Sequence, residues 1–288
     1  MTIKQINLSD YRKSGEGATG SSYDCLADPN LMVKLFNPCY PEEQIVREVE
    51  LARKVYDLGV PSPQPGELVS AGGQLGISFR RIVGKRSYSR MFADEPDRIE
   101  EFARELARYC LRLHSIECPP GLFPNQKDEY YHWLELDRIF TDAQKQVIYD
   151  FIKAAPEGNR ALHGDLQFGN AISTLPFGAP LSDPHEVYFI DLGGFCQGDP
   201  LFDLGMFVNI CLYSDPEFLY GSYHIRRPEA IRVWEAFADE YWAGRLTPAQ
   251  AQELLVPYQA LKMLLVDYTM GGTLPPVCEK NLRDSFGL

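Results

Sequence analysis

Residues 163–170 read His-Gly-Asp-Leu-Gln-Phe-Gly-Asn, and Phe189-Ile190-Asp191-Leu192-Gly193 closes an apolar run further on. Asp165 and Asn170 lie five residues apart on one short loop, and Asp191 ends a strand of apolar residues. A carboxylate beside a hydroxyl orients it and accepts its proton late in phosphoryl transfer. An Asn oxygen joins a metal shell without adding charge, and Mg²⁺ takes one or two carboxylates together with phosphate oxygens and water. Asp165 is therefore the candidate general base, and Asn170 and Asp191 are the candidate metal ligands. Each residue alone has an ordinary reading as an Asx turn or a helix cap. The joint pattern with His163 carries the assignment. His163 itself reads as a brace whose ring bonds backbone. Gln167 and Phe168 stand between base and metal ligand, and a contact with acceptor or phosphates stays open for both.

Upstream, Leu31-Met32-Val33-Lys34-Leu35-Phe36 is an apolar strand with one Lys at its centre. A lone buried ammonium is costly without a partner. Alternation puts Met32, Lys34 and Phe36 on one face. Lys34 is the candidate ligand for the nucleotide α- and β-phosphates, against the alternative of an edge Lys reaching water. Glu48, on the next helix, is the natural ion-pair partner, with Glu43 and Glu50 competing. Gly15, Gly17 and Gly20 lie in Ser14–Ser22, read as a flexible turn whose backbone N–H groups can approach phosphates. No Gly-x-x-x-x-Gly-Lys-Ser/Thr run occurs, so a P-loop is not indicated. Downstream, Asp199-Pro200 reads as a helix start. Asp203 falls in that helix's first turn, suited to bonding the 163–170 backbone. Both are read as structural.

The first 82 residues are β-rich with one helix, Pro41 to Leu58, ended by Gly59. Strands are expected near Gly66–Ser70 and Leu75–Arg80, joined by Gly72-Gly73. Ile82-Val83-Gly84 reads as a linker. The chain then divides into an N-terminal nucleotide-binding lobe, 1–82, and a mostly helical catalytic and acceptor-binding lobe, 83–288. Helices are expected over Asp97–His114, from Thr141 to Ala155, and over Leu201–Tyr213, Pro228–Trp242 and Thr247–Met270. The Pro- and Gly-rich Thr174–Glu186 is expected to be a surface hairpin or loop.

A net charge of −12 argues against nucleic acid or an anionic membrane as partner and is compatible with a cationic small molecule. No apolar run reaches transmembrane length, and the N-terminus lacks a signal-peptide core, so a soluble cytoplasmic protein is expected. Seven scattered cysteines without a C-x-x-C pair speak against zinc and disulfide frameworks.

Taken in order, these features resemble the aminoglycoside phosphotransferase and choline kinase group of the protein-kinase-like fold. The resemblance spans nearly the whole chain, from the glycine turn through Val33-Lys34, Glu48, Leu58-Gly59-Val60-Pro61 and Leu113-His114 to the two motifs quoted first. It implies an α+β, bilobal protein-kinase-like fold, with an antiparallel sheet and one helix in the N-terminal lobe. It also implies ATP or GTP with Mg²⁺, the purine against the linker backbone near Arg81–Val83, and transfer of the γ-phosphoryl group to a hydroxyl of a small molecule. Asp165 would be the base; Asn170 and Asp191 would hold the metal. Gly164 replaces the Arg that protein kinases carry, and only nine residues separate Gly193 from Asp203, too few for an activation segment. The resemblance places acceptors on acidic C-terminal helices, where Asp215, Glu217, Glu235, Asp239, Glu240 and Asp267 are available; the set is open between a substrate pocket and a solvated helix face. Tyr220 and Tyr241-Trp242 are open between holding a cation and packing the core. The acceptor is open between an antibiotic and a metabolite such as an amino alcohol, sugar or ketosamine, and a non-catalytic nucleotide-binding regulator is the alternative. The sequence leaves the oligomeric state open.

Overall fold

A computed structural model describes residues 3–17, 19–269 and 276–288; Met270, the side chain of Asp267 and that of Cys278 lie outside what is described. The chain splits into two compact units, Met1–Arg86 with Ile172–Gly193, and Ser87–Ala171 with Gly194–Leu288. This differs from a single division at residue 82. The added segment joins the first unit through hydrogen bonds: the Phe189 N–H donates to Pro61 O at 2.8 Å, and the Arg86 guanidinium donates to Leu175 O at 3.2 Å.

The first unit is built on strands β1 (Lys4–Gln5), β2 (Tyr11–Glu16), β3 (Gly20–Cys25) and β4 (Leu31–Phe36), helix α1 (Glu42–Asp57), and strands β5 (Pro65–Ala71) and β6 (Gln74–Arg80). Their order in the sheet is β1-β5-β6-β4-β3-β2, all pairs antiparallel except β1 with β5. Ser14–Glu16 and Gly20–Ser22 therefore lie in paired strands and not in a turn. Gly15 and Gly20 belong to paired strands, with a register shift between Lys13 and Gly15. Gly20 is fixed by packing, because a Cβ there would lie 2.1 Å from Leu35 O. Phe36, Leu68 and Ile77 pack against Ile45 and Val49 of α1, while Val33, Leu35 and Val69 fill the opposite face. Lys34 shares the helix-covered face with Phe36, as alternation requires.

The chain continues through β7 (Arg86–Ser87), α2 (Tyr88–Asp94), α3 (Ile99–Ser115), α4 (Gln126–Leu136), α5 (Asp142–Ala154), β8 (Arg160–Leu162), β9 (Ala171–Ser173), β10 (Val187–Phe189) and β11 (Cys196–Gly198). Then come α6 (Leu201–Val208), a π turn (Asn209–Tyr213), α7 (Pro216–Tyr223), α8 (Arg227–Trp242), α9 (Pro248–Thr269) and α10 (Pro276–Phe286). Thr141 caps α5 in a full capping box with Gln144. The Thr174–Glu186 loop is closed by the Thr174 N–H to Glu186 O, 2.9 Å. Helices α2, α4, α7 and α10 were not expected. They are short, and α4 and α7 have weak apolar periodicity, so tertiary packing rather than pattern holds them. The second unit's core runs through Phe92, Phe168, Phe207 and Phe237, all fully buried. No described helix is long and apolar enough to cross a membrane.

Candidate active site

In the first unit Lys34 meets two carboxylates. Its Nζ lies 2.9 Å from Glu48 Oε1 and 2.9 Å from Asp191 Oδ1. Strand β4 aims the Lys, α1 supplies Glu48, and the turn after β10 supplies Asp191. Glu43 and Glu50 do not take this place. Burial alone would lower the Lys34 pKa, but Asp191 and then Glu48 outweigh it and raise it, so the amine stays an ammonium. The side chains of Lys34 and Glu48 are each 17% exposed, whereas that of Asp191 is 52% exposed. Lys34 and Glu48 form the more buried pair, and the Asp191 carboxylate is half exposed. Asp191 also has φ +60°, a left-handed conformation that Asp tolerates better than most residues and that often marks a functional position. Gly193 is needed beside it, since a Cβ there would come within 3.3 Å of the Glu48 carboxyl.

These three side chains help to line a cavity of about 250 Å³. Gly15, Gly17 and Gly20 line it. Met32, Ile77, Phe79 and Phe189 give it an apolar wall suited to a flat ring. Arg81 and Val83 are not among the lining residues. Arg81 pairs with Asp24 at 2.9 Å, its N–H donates to Asn30 O, and Val83 is exposed. Lys85, just past the expected linker, does line the cavity. A lone Lys in a Gly-Lys-Arg stretch carries no pattern to find it by.

The second unit holds the 163–170 loop from beneath. Asp203, fully buried in the first turn of α6, accepts from the His163 N–H at 2.6 Å and the Gly164 N–H at 2.9 Å. His114 Nε2 lies 3.2 Å from the same carboxylate, and its Nδ1 lies 2.7 Å from the Tyr241 hydroxyl. The His163 ring accepts the Asp165 N–H at 3.3 Å, the bracing role expected of it. Gly164 has φ +79°, and a Cβ there would meet Gly194 O at 1.8 Å, so only Gly fits where protein kinases carry Arg. Phe168 is a core residue, packed on Tyr223 and Phe92 at 4.5 and 5.6 Å between ring centres, and so contacts neither acceptor nor phosphate. Gln167 stays beside Asp165. The Asn170 amide nitrogen donates to Asp165 O and Oδ2, both at 3.0 Å, which fixes the carboxylate and leaves the Asn carbonyl oxygen free for another ligand.

Two outcomes follow for Asp203. Asp203→Ala strips two buried N–H groups of their acceptor and is expected to destabilise the chain by about 3–5 kcal/mol, read from urea unfolding. Burial would raise the Asp203 pKa, but the hydrogen bond and charge of His114, aided by His163 and Lys262, bring it below its ordinary 3.8. A depressed carboxylate contributes stability that is complete above the ordinary value and is lost as pH falls through the lowered one. The wild type should therefore lose this contribution below about pH 4, and Asp203→Ala should lack that part of the acid dependence.

The sequence matches the profile of the phosphotransferase enzyme family (APH) over residues 10–253. The chain belongs to this family. It is a phosphotransferase enzyme with the protein-kinase-like α+β fold. Comparison with curated proteins gives no match. Among solved structures, aminoglycoside phosphotransferase APH(2'')-Ib with bound ADP is 17% identical, with 96% of this chain and 91% of that chain covered and a TM-score of 0.56. A thermostable variant of aminoglycoside phosphotransferase APH(4)-Ia with ADP and hygromycin B is 12% identical, over 97% and 94%, with a TM-score of 0.61. A choline/ethanolamine kinase family protein from Mesorhizobium loti is 16% identical, over 96% and 87%, with a TM-score of 0.53.

In this phosphotransferase Asp191 of the first unit offers a half-exposed carboxylate, and Asn170 of the second offers a carbonyl oxygen; each by itself is a hard donor of the kind that Mg²⁺ takes. The residues weighed as an acceptor pocket fare differently. Asp215 caps α7, accepting the N–H groups of Glu217 and Phe218, and Glu240 pairs with Arg108 at 3.3 Å. Tyr241 and Trp242 are core residues, stacked on Phe237 and packed on Trp234. Tyr220 is exposed and already has the Arg226 guanidinium over its ring at 4.7 Å.

Proposed function

We propose that the chain transfers the γ-phosphoryl group of ATP or GTP to a hydroxyl of a small, amine-bearing molecule. The observation that carries this reading is the Lys34 ammonium, 2.9 Å from both Glu48 and Asp191 at the wall of a largely apolar cavity. Lys34 would bind the α- and β-phosphates, Glu48 would hold the Lys in place, and the glycine-bearing β2–β3 hairpin would cover the phosphates. Asp191 and Asn170 would be the oxygen ligands of Mg²⁺, which when bound neutralises phosphate charge. Asp165 would orient the acceptor hydroxyl and take its proton as the new P–O bond forms and the bond to the β-phosphate oxygen breaks. Catalysis by this chain is positioning and charge stabilisation.

The acceptor class rests on two supports. The related structures include complexes with gentamicin and streptomycin and an aminopropanol kinase, all molecules that join an amine to a hydroxyl. The net charge of −12 favours cations. A coupled ADP-release screen over amino alcohols, aminoglycosides, sugars and nucleosides tests the reading; turnover is expected to rise above background only with amine-bearing alcohols. A preference for uncharged sugars would remove the amine from the proposal. Lys34→Met should raise the nucleotide KM by about tenfold or more through loss of a charge-assisted contact, measured with saturating acceptor.

A further inference from the structure

The geometry points to Lys262 as a positioning residue for the phosphoryl-transfer step, its ammonium holding the Gly164 carbonyl and with it the peptide that carries Asp165. Lys262 lies on α9 in Ala260-Leu261-Lys262-Met263-Leu264, a lone cation in an apolar stretch, and is 1% exposed. Its Nζ donates to Gly164 O at 2.7 Å and lies 5.6 and 5.9 Å from the ring centres of Tyr130 and Trp133. Burial opposes the charge, but Tyr130, Asp203 and Asp165 together raise its pKa, so the group donates as an ammonium.

Residue 164 is thus held at both ends. Its N–H is bonded to Asp203 and its carbonyl to Lys262. The first contact anchors the loop to α6 and is enough to fix where the chain runs. The second fixes the plane of the 164–165 peptide, which the free rotation of a glycine would otherwise leave soft. Burying a cation to bond a single carbonyl is a poor device for stability, because an apolar residue of similar shape in such a place is often neutral or better. It is a good device for holding a carboxylate one residue away, since a displacement of about 1 Å at a reacting group costs about 100-fold in rate.

This inference rests on Asp165 being the base, and the test separates the two. In Lys262→Met the thioether packs against Tyr130 and Trp133 while the Gly164 carbonyl loses its donor, so the melting temperature should fall modestly and rates are taken per binding-competent molecule. The expected result is a fall in kcat of about 100-fold with nucleotide KM within twofold. Lys262→Gln, which restores an N–H donor on a similar chain, should recover a substantial part of that loss. A kcat for Lys262→Met near the wild-type value, per nucleotide-binding site counted by titration, would overturn the inference. So would equal losses in the Met and Gln variants explained by fewer binding-competent molecules, because that is a folding role alone. Asp165→Asn measured alongside tells which reading failed. If it remains active, the assignment of the base is wrong; if it is inactive while Lys262→Met is not, only Lys262 is misassigned.

Discussion

Asp165→Asn should lower kcat by about 10³-fold, within the range of about 10²–10⁴ that general acid–base groups contribute. Nucleotide affinity should change little, because the cavity and the Lys34 cluster are formed by the first unit alone. The substitution keeps the shape of the side chain and removes its ability to accept the acceptor proton. The loop should hold its form, since Asp203 and Lys262 bind Gly164 through backbone groups that residue 165 does not supply. The diagnostic is therefore a split, with a low kcat and an unchanged nucleotide Kd by calorimetric titration. A parallel loss of both would place Asp165 in loop structure.

Asp191→Asn should be nearly as damaging, with transfer reduced by about 10²–10³-fold, the size usual for one electrostatic contact to a developing charge. Asn keeps the tolerance for φ +60°, so backbone strain does not confuse the result. Two changes come together. Lys34 loses one of its two carboxylates and keeps Glu48. The half-exposed side chain loses its charge, so the Mg²⁺ concentration giving half-maximal rate should rise. A lower rate with no change in that Mg²⁺ dependence would mean that Asp191 acts only by orienting Lys34.

Much of this was legible because chemistry concentrated in short stretches breaks local rules. Lys34 stands out in an apolar strand, and Asp191 ends one. The loop from His163 to Asn170 packs polar groups where neither strand nor helix period explains them. The family resemblance joined these pieces, and the Lys34–Glu48 pair is where the spacing put it. Other features escaped for physical reasons. Phe168 stands in the loop, but its ring serves the core, which no local pattern reveals. The expectation that a purine meets the linker backbone near Arg81–Val83 came from resemblance alone, and no local pattern revealed that the Arg81 side chain pairs with Asp24. The segment Ile172–Gly193 joins the first unit through contacts with Pro61 and Arg86, which are remote in sequence. Lys262 carries the same signal as Lys34, a single cation among apolar residues. On a 22-residue helix it has no nearby motif to interpret it, and its meaning comes only from the Gly164 carbonyl it meets.

Phosphorus NMR of the purified chain with ATP, Mg²⁺ and an amine-bearing alcohol found active in the screen is the most direct measurement. A phosphomonoester resonance of the acceptor should grow in step with ADP, one for one, and Asp165→Asn should abolish both signals while still binding ATP. Nucleotide that binds in the cavity yet yields only inorganic phosphate, or no product with any hydroxylated amine, would contradict the proposed transfer.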